Sequence, residues 1–307
     1  MTPNDAVPLS AATDPQTFRL SPAKANLPKA RVSLEQLLEA REEESAWVRL
    51  FNGRDFTGFH TQLCGQGTND PGHVFSIHDG VIHVQKDAPE GAEMPFGGLI
   101  TDQDFGDYHL RCEFKWGKKK FAPKNNVPRD AGVLYHVTGP DNFFGDTWGR
   151  SLECQIQEKD VGDLWTVGTR ASSLVTAGQT NVLVASLHSE QEGSVGGPSD
   201  FCRIVKASDA EREGWNTVEV IARGDAAVHI VNGTPVHYLF NARMSDPANP
   251  DKWIPLTRGR LWFQAEGAEV KYRNIEIRSL PPLDQTTSAS PAPTNAPTAS
   301  TNLSPPP

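Results

Sequence analysis

Glu153, Gln155, Gln264 and Glu266 occupy alternate positions in two apolar runs, and carboxyl and amide groups spaced this way can move protons and grip sugar hydroxyls. Across residues 152–157, Leu152, Cys154 and Ile156 alternate with Glu153, Gln155 and Gln157. Successive side chains of a strand point to opposite faces, so one face is apolar and the other is polar with a carboxylate. Residues 260–266 repeat the pattern, with Leu261, Phe263 and Ala265 on one face and Arg260, Trp262, Gln264 and Glu266 on the other. An aromatic plane beside such groups suits a pyranose, whose C–H face packs on the ring while its hydroxyls take directional hydrogen bonds. The same alternation also describes the solvated outer face of an ordinary sheet, so periodicity alone does not make a site.

Two further stretches bear on the chemistry. Residues 132–137 place Val133, Tyr135 and Val137 on one face and Leu134 with His136 on the other, which brings His136 toward Glu153 if the two strands are neighbours. Residues 158–165 hold Glu158, Asp160 and Asp163 before Trp165, an acid density that matches no EF-hand spacing. A divalent metal ion held by His136, Glu153 and Asp163 is therefore one expectation. Residues 141–150 contain Phe143, Phe144, Trp148 and Arg150 in a Gly-broken loop, and aromatics in a long loop suggest a pocket wall. Trp148, Trp165, Trp262 and Arg260, with Gln155 and Gln264, make up the expected sugar-contacting set.

The elements that must position these groups are strands. Short alternating runs separated by turn residues recur from Trp47 to Leu280, with positive-φ turns expected at His78-Asp79-Gly80 and Asn232-Gly233. No alternation of strand and helix appears, which disfavours a nucleotide-binding α/β fold and a nucleotide cofactor. The expected fold is all-β, a sandwich over residues 47–282. Before it, residues 1–46 read as a Pro- and Ala-rich arm leading to a short helix, capped by Ser33 with Gln36 and running to Glu44. After it, residues 283–307 are almost wholly Ser, Thr, Pro, Ala and Asn and read as disordered, because they cannot bury enough apolar area to offset their ordering entropy.

A net charge of −9 with no long basic run argues against nucleic acid as a partner. No apolar stretch is long enough to span a bilayer, and the first thirty residues lack the pattern of a signal peptide. Cys64, Cys112, Cys154 and Cys202 show no C-x-x-C spacing, and Cys112 and Cys154 read as buried thiols.

Five blocks in order carry a resemblance: Leu50-Phe51-Asn52-Gly53-Arg54-Asp55, Arg129-Asp130-Ala131-Gly132-Val133-Leu134-Tyr135-His136, Leu152-Glu153-Cys154-Gln155-Ile156-Gln157, Trp215-Asn216 and Tyr272-Arg273-Asn274-Ile275. Over residues 47–280 the chain resembles the 3-keto-disaccharide hydrolase domain family. One departure is Ala131, where many relatives have Ser before the Gly. The resemblance implies a concanavalin A-like jelly-roll β-sandwich acting on glycosides oxidised at C3, often in exported (periplasmic or extracellular) bacterial proteins, with hydrolase, lyase and hydratase outcomes all open. A ketone at C3 acidifies the C2–H, so one base and one stabiliser of the enolate suffice to expel the C1 substituent. Glu153 and His136 are the candidate bases, with Glu266 the proton acceptor if Glu153 ligates metal. Two rivals remain: an ordinary glycosidase pairing Glu153 with Glu266, and a non-catalytic carbohydrate-binding module.

Overall fold

The computed structural model describes residues 19–21, 31–42, 44–177 and 182–281; most of the N-terminal arm and the whole Ser/Thr/Pro-rich tail lie outside the described residues. Two antiparallel sheets, of thirteen and seven strands, pack face to face as a jelly-roll sandwich. The seven-stranded sheet runs in the order Phe201–Ile204, Leu164–Val167, Arg150–Gln155, Gly132–Thr138, Arg260–Ala265, Gly97–Thr101, Phe59–Leu63. Val133, Tyr135, Leu152, Cys154, Leu261 and Phe263 from this sheet meet Leu110, Cys112, Phe114, Val218, Val220 and Tyr272 from the other in one buried core. That face-to-face burial is what the alternating pattern exists to achieve. The other alternate residues, Glu153 and Gln264 among them, face away from it.

The turns form where positive φ is tolerated. Asp79 and Gly80 adopt φ of 52° and 74° between Phe75–His78 and Val81–Val84, and Asn232 and Gly233 adopt 49° and 84° between Ala226–Val231 and Thr234–Asp246. All four cysteines are free. No helix among the described residues is long and apolar enough to cross a membrane.

The helix is shorter than its sequence pattern. Its capping box forms as expected, with Gln36 N–H donating to Ser33 Oγ and the Ser33 N–H to Gln36 Oε1, but the α-helix covers only Leu34–Glu39 and tightens into a 3₁₀ turn over Ala40–Glu42. The end is set by tertiary contact: the Arg278 guanidinium takes the carbonyls of Ala40 and Arg41, orphan acceptors of the last turn. Leu37 and Ala40 then bury against Ile221, Val228 and Phe240 on the outer face of the larger sheet.

His136 does not share a face with Leu134. Leu134 pairs with Trp262 and Val137 with Arg260, so Tyr135 and His136 together stand against the single residue Leu261. This is a β-bulge, and His136 absorbs it at φ 52°. The extra residue shifts the register, and the imidazole turns into the inter-sheet core between Tyr108 and Tyr135, at ring separations of 5.7 and 5.4 Å. His229 and His237 are buried in the same core, hydrogen-bonded to Tyr135 and Ser173.

Burial pushes the pKa of His136 down to about 3 and that of His229 to about 4, and it holds His237 well below its ordinary value. The folded protein keeps these rings neutral, whereas the unfolded chain protonates them below the ordinary value of 6.5. Their contribution is therefore intact above pH 6.5 and is lost as pH falls toward the folded values, by about 1.4 kcal/mol per pH unit for each ring. Urea unfolding of wild type and His136→Phe at pH 6 and pH 4 checks this. Between those two pH values the wild type should lose on the order of 2 kcal/mol more than the variant, and equal losses would show that His136 is already charged in the fold.

Candidate active site

On the outer face of the seven-stranded sheet, Trp165, Glu153, Leu134, Trp262 and Ile100 form one cross-strand row. The adjacent row is Gln155, Gly132, Gln264, Gly98 and Gln62. Two residues without side chains flank Gln264, and the larger neighbours lean over them. A Cβ on Gly132 would lie 2.0 Å from Glu153 Oε1 and 2.4 Å from Gln264 Oε1, and one on Gly98 would lie 1.7 Å from the Trp262 indole nitrogen. The Gly132 gap is thus where the Glu153 carboxyl and the Gln264 amide meet.

The loop over residues 121–130 and the turn at Glu266-Gly267 close this end of the sheet. Lys124 reaches in from the loop, with Nζ 2.5 Å from Asp130 Oδ2 and 2.5 Å from Glu266 Oε1. Asp130, Glu153 and Glu266 are each at most 5 % exposed, so the cluster gathers three carboxyl groups and one ammonium almost out of water. Burial, reinforced by the charges of Glu266 and Asp130, raises the Glu153 pKa well above its ordinary value, against the pull of Lys124 and a hydrogen bond from Gln264. Asp130 is pushed up to about 7, mainly by burial and then by Glu266, with Lys124 opposing. Glu153 Oε1, Gln264 Oε1 and Asp130 Oδ1 are all buried without a hydrogen-bond partner among the described residues. Buried acceptors without donors are costly. A proton on the Glu153 carboxyl would supply one such donor, in keeping with the upward push on its pKa.

Not every residue of the expected set reaches the cluster. Trp262 is fully buried rather than an open platform, because the loop over residues 141–149 folds back and lays Trp148 across it at 5.7 Å, within a cluster of Ile100, Leu134, Val137 and Val167. Arg260 is a tether for that loop. Its guanidinium binds Asp141 and donates to the Gly139 carbonyl, while His60 bridges Asp102 and Asp141 at 2.7 and 3.1 Å. Gln155 accepts from the Ile156 amide. Trp165, half-buried and directly across the ladder from Glu153, is the aromatic plane beside the carboxyl groups. Phe96 lies on the other side, its ring centroid 5.5 Å from Lys124 Nζ.

The expected metal donors do not assemble either. His136 faces the core, on the opposite side of the sheet from Glu153, and Asp163 is taken by the Arg203 guanidinium and the Lys206 amide. Among the described residues no three His, Cys, Asp or Glu side chains are grouped so as to hold a metal ion. Lys124 and Asp130 were outside the sequence-based set. Asp130 sits beside Gly132 in one of the matching blocks, which was the available signal; Lys124 sits in an irregular loop, where no periodicity points to it. Two open clefts, of about 450 Å³ beside Arg170 and Trp253 and about 500 Å³ beside Trp116 and Arg129, lie elsewhere on the surface. Neither gathers buried carboxyl groups, so chemistry rather than concavity selects the Glu153 cluster.

A model of the 3-keto-alpha-glucoside-1,2-lyase-like domain matches residues 46–278, and the chain belongs to that family. Among solved structures it is similar to two putative glycosyl hydrolases of Parabacteroides distasonis. One is 19 % identical with a TM-score of 0.47, covering 79 % of this chain and 97 % of that one; the other is 17 % identical with a TM-score of 0.45, covering 76 % and 100 %. It is also similar to the carbohydrate-binding module CBM66 of Bacillus subtilis, at 8 % identity and a TM-score of 0.41, covering 72 % and 96 %. Among curated proteins no significant match is found.

Gly132→Ala tests the geometry, because the nearest atoms the added methyl meets are the ends of the Glu153 and Gln264 side chains. Stability should fall by no more than about 2 kcal/mol, while turnover falls about 100-fold as Glu153 and Gln264 are pushed aside. Calorimetry and an activity assay on the same preparation measure both, and unchanged turnover would place the working groups elsewhere.

Proposed function

We propose that this protein cleaves 3-keto-glycosides by elimination across C1 and C2, with Glu266 as the base and Glu153 as the acid. One observation supports this assignment above others: the two carboxyl groups occupy opposite electrostatic surroundings in one cluster. Glu153 is buried where its charged form is disfavoured, and Glu266 is ion-paired with an ammonium. A carboxylic acid beside a carboxylate that is paired with an ammonium is suited to paired acid and base work. Membership of the 3-keto-alpha-glucoside-1,2-lyase-like family points to the substrate class, and the C3 ketone gives a carboxylate enough leverage to act on the neighbouring carbon.

In this reaction Glu266 removes the C2 proton. The electron pair of that C–H bond becomes the C1=C2 double bond, the bond from C1 to the leaving oxygen breaks, and the Glu153 proton passes to that oxygen. The products are an alcohol and a 2-hydroxy enone sugar, with no change of overall oxidation state. Water adding across the new double bond turns the outcome into hydrolysis, and solvent returns both carboxyl groups to their starting states. Trp165 supplies the plane for the sugar's C–H face, and Gln264 positions Glu153.

Incubating a 3-keto-glucoside and its unoxidised parent in D2O, with products followed by mass and NMR, tests the reading. Only the keto sugar should react, losing its C2 hydrogen in the enone and carrying deuterium at C2 in the hydrated product. Glu266→Gln should lower turnover by about 100-fold or more, and Glu153→Gln should hurt most with aglycones that are poor leaving groups. Cleavage of the unoxidised parent at a comparable rate would instead mark an ordinary glycosidase, and no turnover of either compound would leave the binding-module reading standing.

A further inference from the structure

The elimination leaves one requirement unassigned: as the C2 proton departs, negative charge builds on the C3 oxygen and needs a donor. We propose that Lys124 is a catalytic residue whose ammonium hydrogen-bonds the C3 carbonyl oxygen of the substrate and stabilises the enolate. This inference rests on the elimination reading above and adds the electrophile to it.

Placement is the first argument. The C2 hydrogen and the C3 oxygen sit on adjacent carbons, so the base and the electrophile that serve them must themselves be neighbours. Lys124 Nζ is 2.5 Å from Glu266 Oε1, which lets one carboxylate and one ammonium address the two atoms from the same side of the ring. Donor count is the second. A lysine ammonium has three N–H bonds, and Asp130 and Glu266 each take one, which leaves the third for an oxygen that is not part of the protein. The half-buried Phe96 ring beside Nζ narrows the space around that donor.

Rigidity is the third argument. Gly267, at φ 84°, has no Cβ, and one placed there would come within 2.9 Å of Lys124 Cβ, so the lysine stem packs directly on the backbone that follows Glu266. The Phe121 amide donates to the Gly267 carbonyl at 2.9 Å, and the Lys124 amide donates to the Phe121 carbonyl at 2.8 Å. At its far end the loop is held by Arg129, paired with Glu158. Base and electrophile are thereby locked together before substrate arrives, and such preorganised donors need little rearrangement as charge develops. Burial acts to lower the Lys124 pKa, but Glu266 and Asp130 outweigh it and hold the group above its ordinary value, so the ammonium persists at working pH.

The test separates enolisation from bond cleavage. The substrate is the 3-keto form of 1,5-anhydroglucitol, which has no exocyclic leaving group at C1, and the readout is exchange of its C2 hydrogen in D2O. Wild type should exchange it. Lys124→Met should slow exchange about 100-fold or more, Lys124→Arg should retain part of the rate, and methylammonium should restore part of it to Lys124→Ala. A measurement on wild type alone covers the case in which these variants fail to fold: the C3 resonance of the 13C-labelled ketone should move downfield on binding, as a polarised carbonyl does. An unshifted resonance, or exchange by folded Lys124→Met within about threefold of wild type, would overturn the assignment of Lys124, and exchange still lost in Glu266→Gln would leave the elimination standing. Absence of exchange by wild type, together with no turnover of 3-keto-glycosides, would remove the parent reading as well.

Discussion

A buried ammonium is tolerable only when it is paired, and the pairing of Lys124 with Asp130 and Glu266 ties together the loop and the turn around the candidate site. Lys124 and Asp130 lie in one loop, Glu266 begins the turn after a strand, and Glu153 belongs to another strand whose carboxyl the same charges act on. Move any one of them and the balance that raises the Glu153 pKa changes. Replacing Glu266 by a neutral residue removes a like charge and lowers the Glu153 pKa, whereas removing Lys124 takes away the one positive charge opposing the rise.

The sandwich positions that cluster. Inward-facing side chains of both sheets bury a continuous core, which frees the opposite face of the seven-stranded sheet to carry groups that are poor at holding a fold together. On that face the work is divided. Trp262, Trp148, Leu134 and Ile100 form an apolar patch under a tethered loop, and Gly132 leaves the adjoining gap into which Glu153 and Gln264 extend. Apolar packing at one end excludes water and strengthens the electrostatics at the other.

The fold was largely legible because its cause is local: period-two alternation, and turn residues such as Asp79-Gly80 and Asn232-Gly233 that adopt positive φ cheaply. Short strands such as Leu164–Val167 are not legible in the same way, since four residues carry too little alternation to stand out. The site was legible only in part. Glu153, Gln264 and Glu266 followed from strand parity, but parity placed His136 beside them because a bulge, a cross-strand event, leaves no mark in the order of residues. Trp262 looked like an open platform because its cover arrives from a loop distant in sequence. Lys124 was invisible for a related reason: its role depends on where an irregular loop meets a turn some 140 positions later.

Neutron diffraction on deuterium-exchanged crystals at neutral pD tests the central claim most directly, because it locates the proton that the mechanism assigns to Glu153. A deuteron on the Glu153 carboxyl, with Lys124 carrying three and bonded to Asp130 and Glu266, is the predicted result. A Glu153 carboxylate without a deuteron would contradict the account, since the group cast as acid would then have no proton to give.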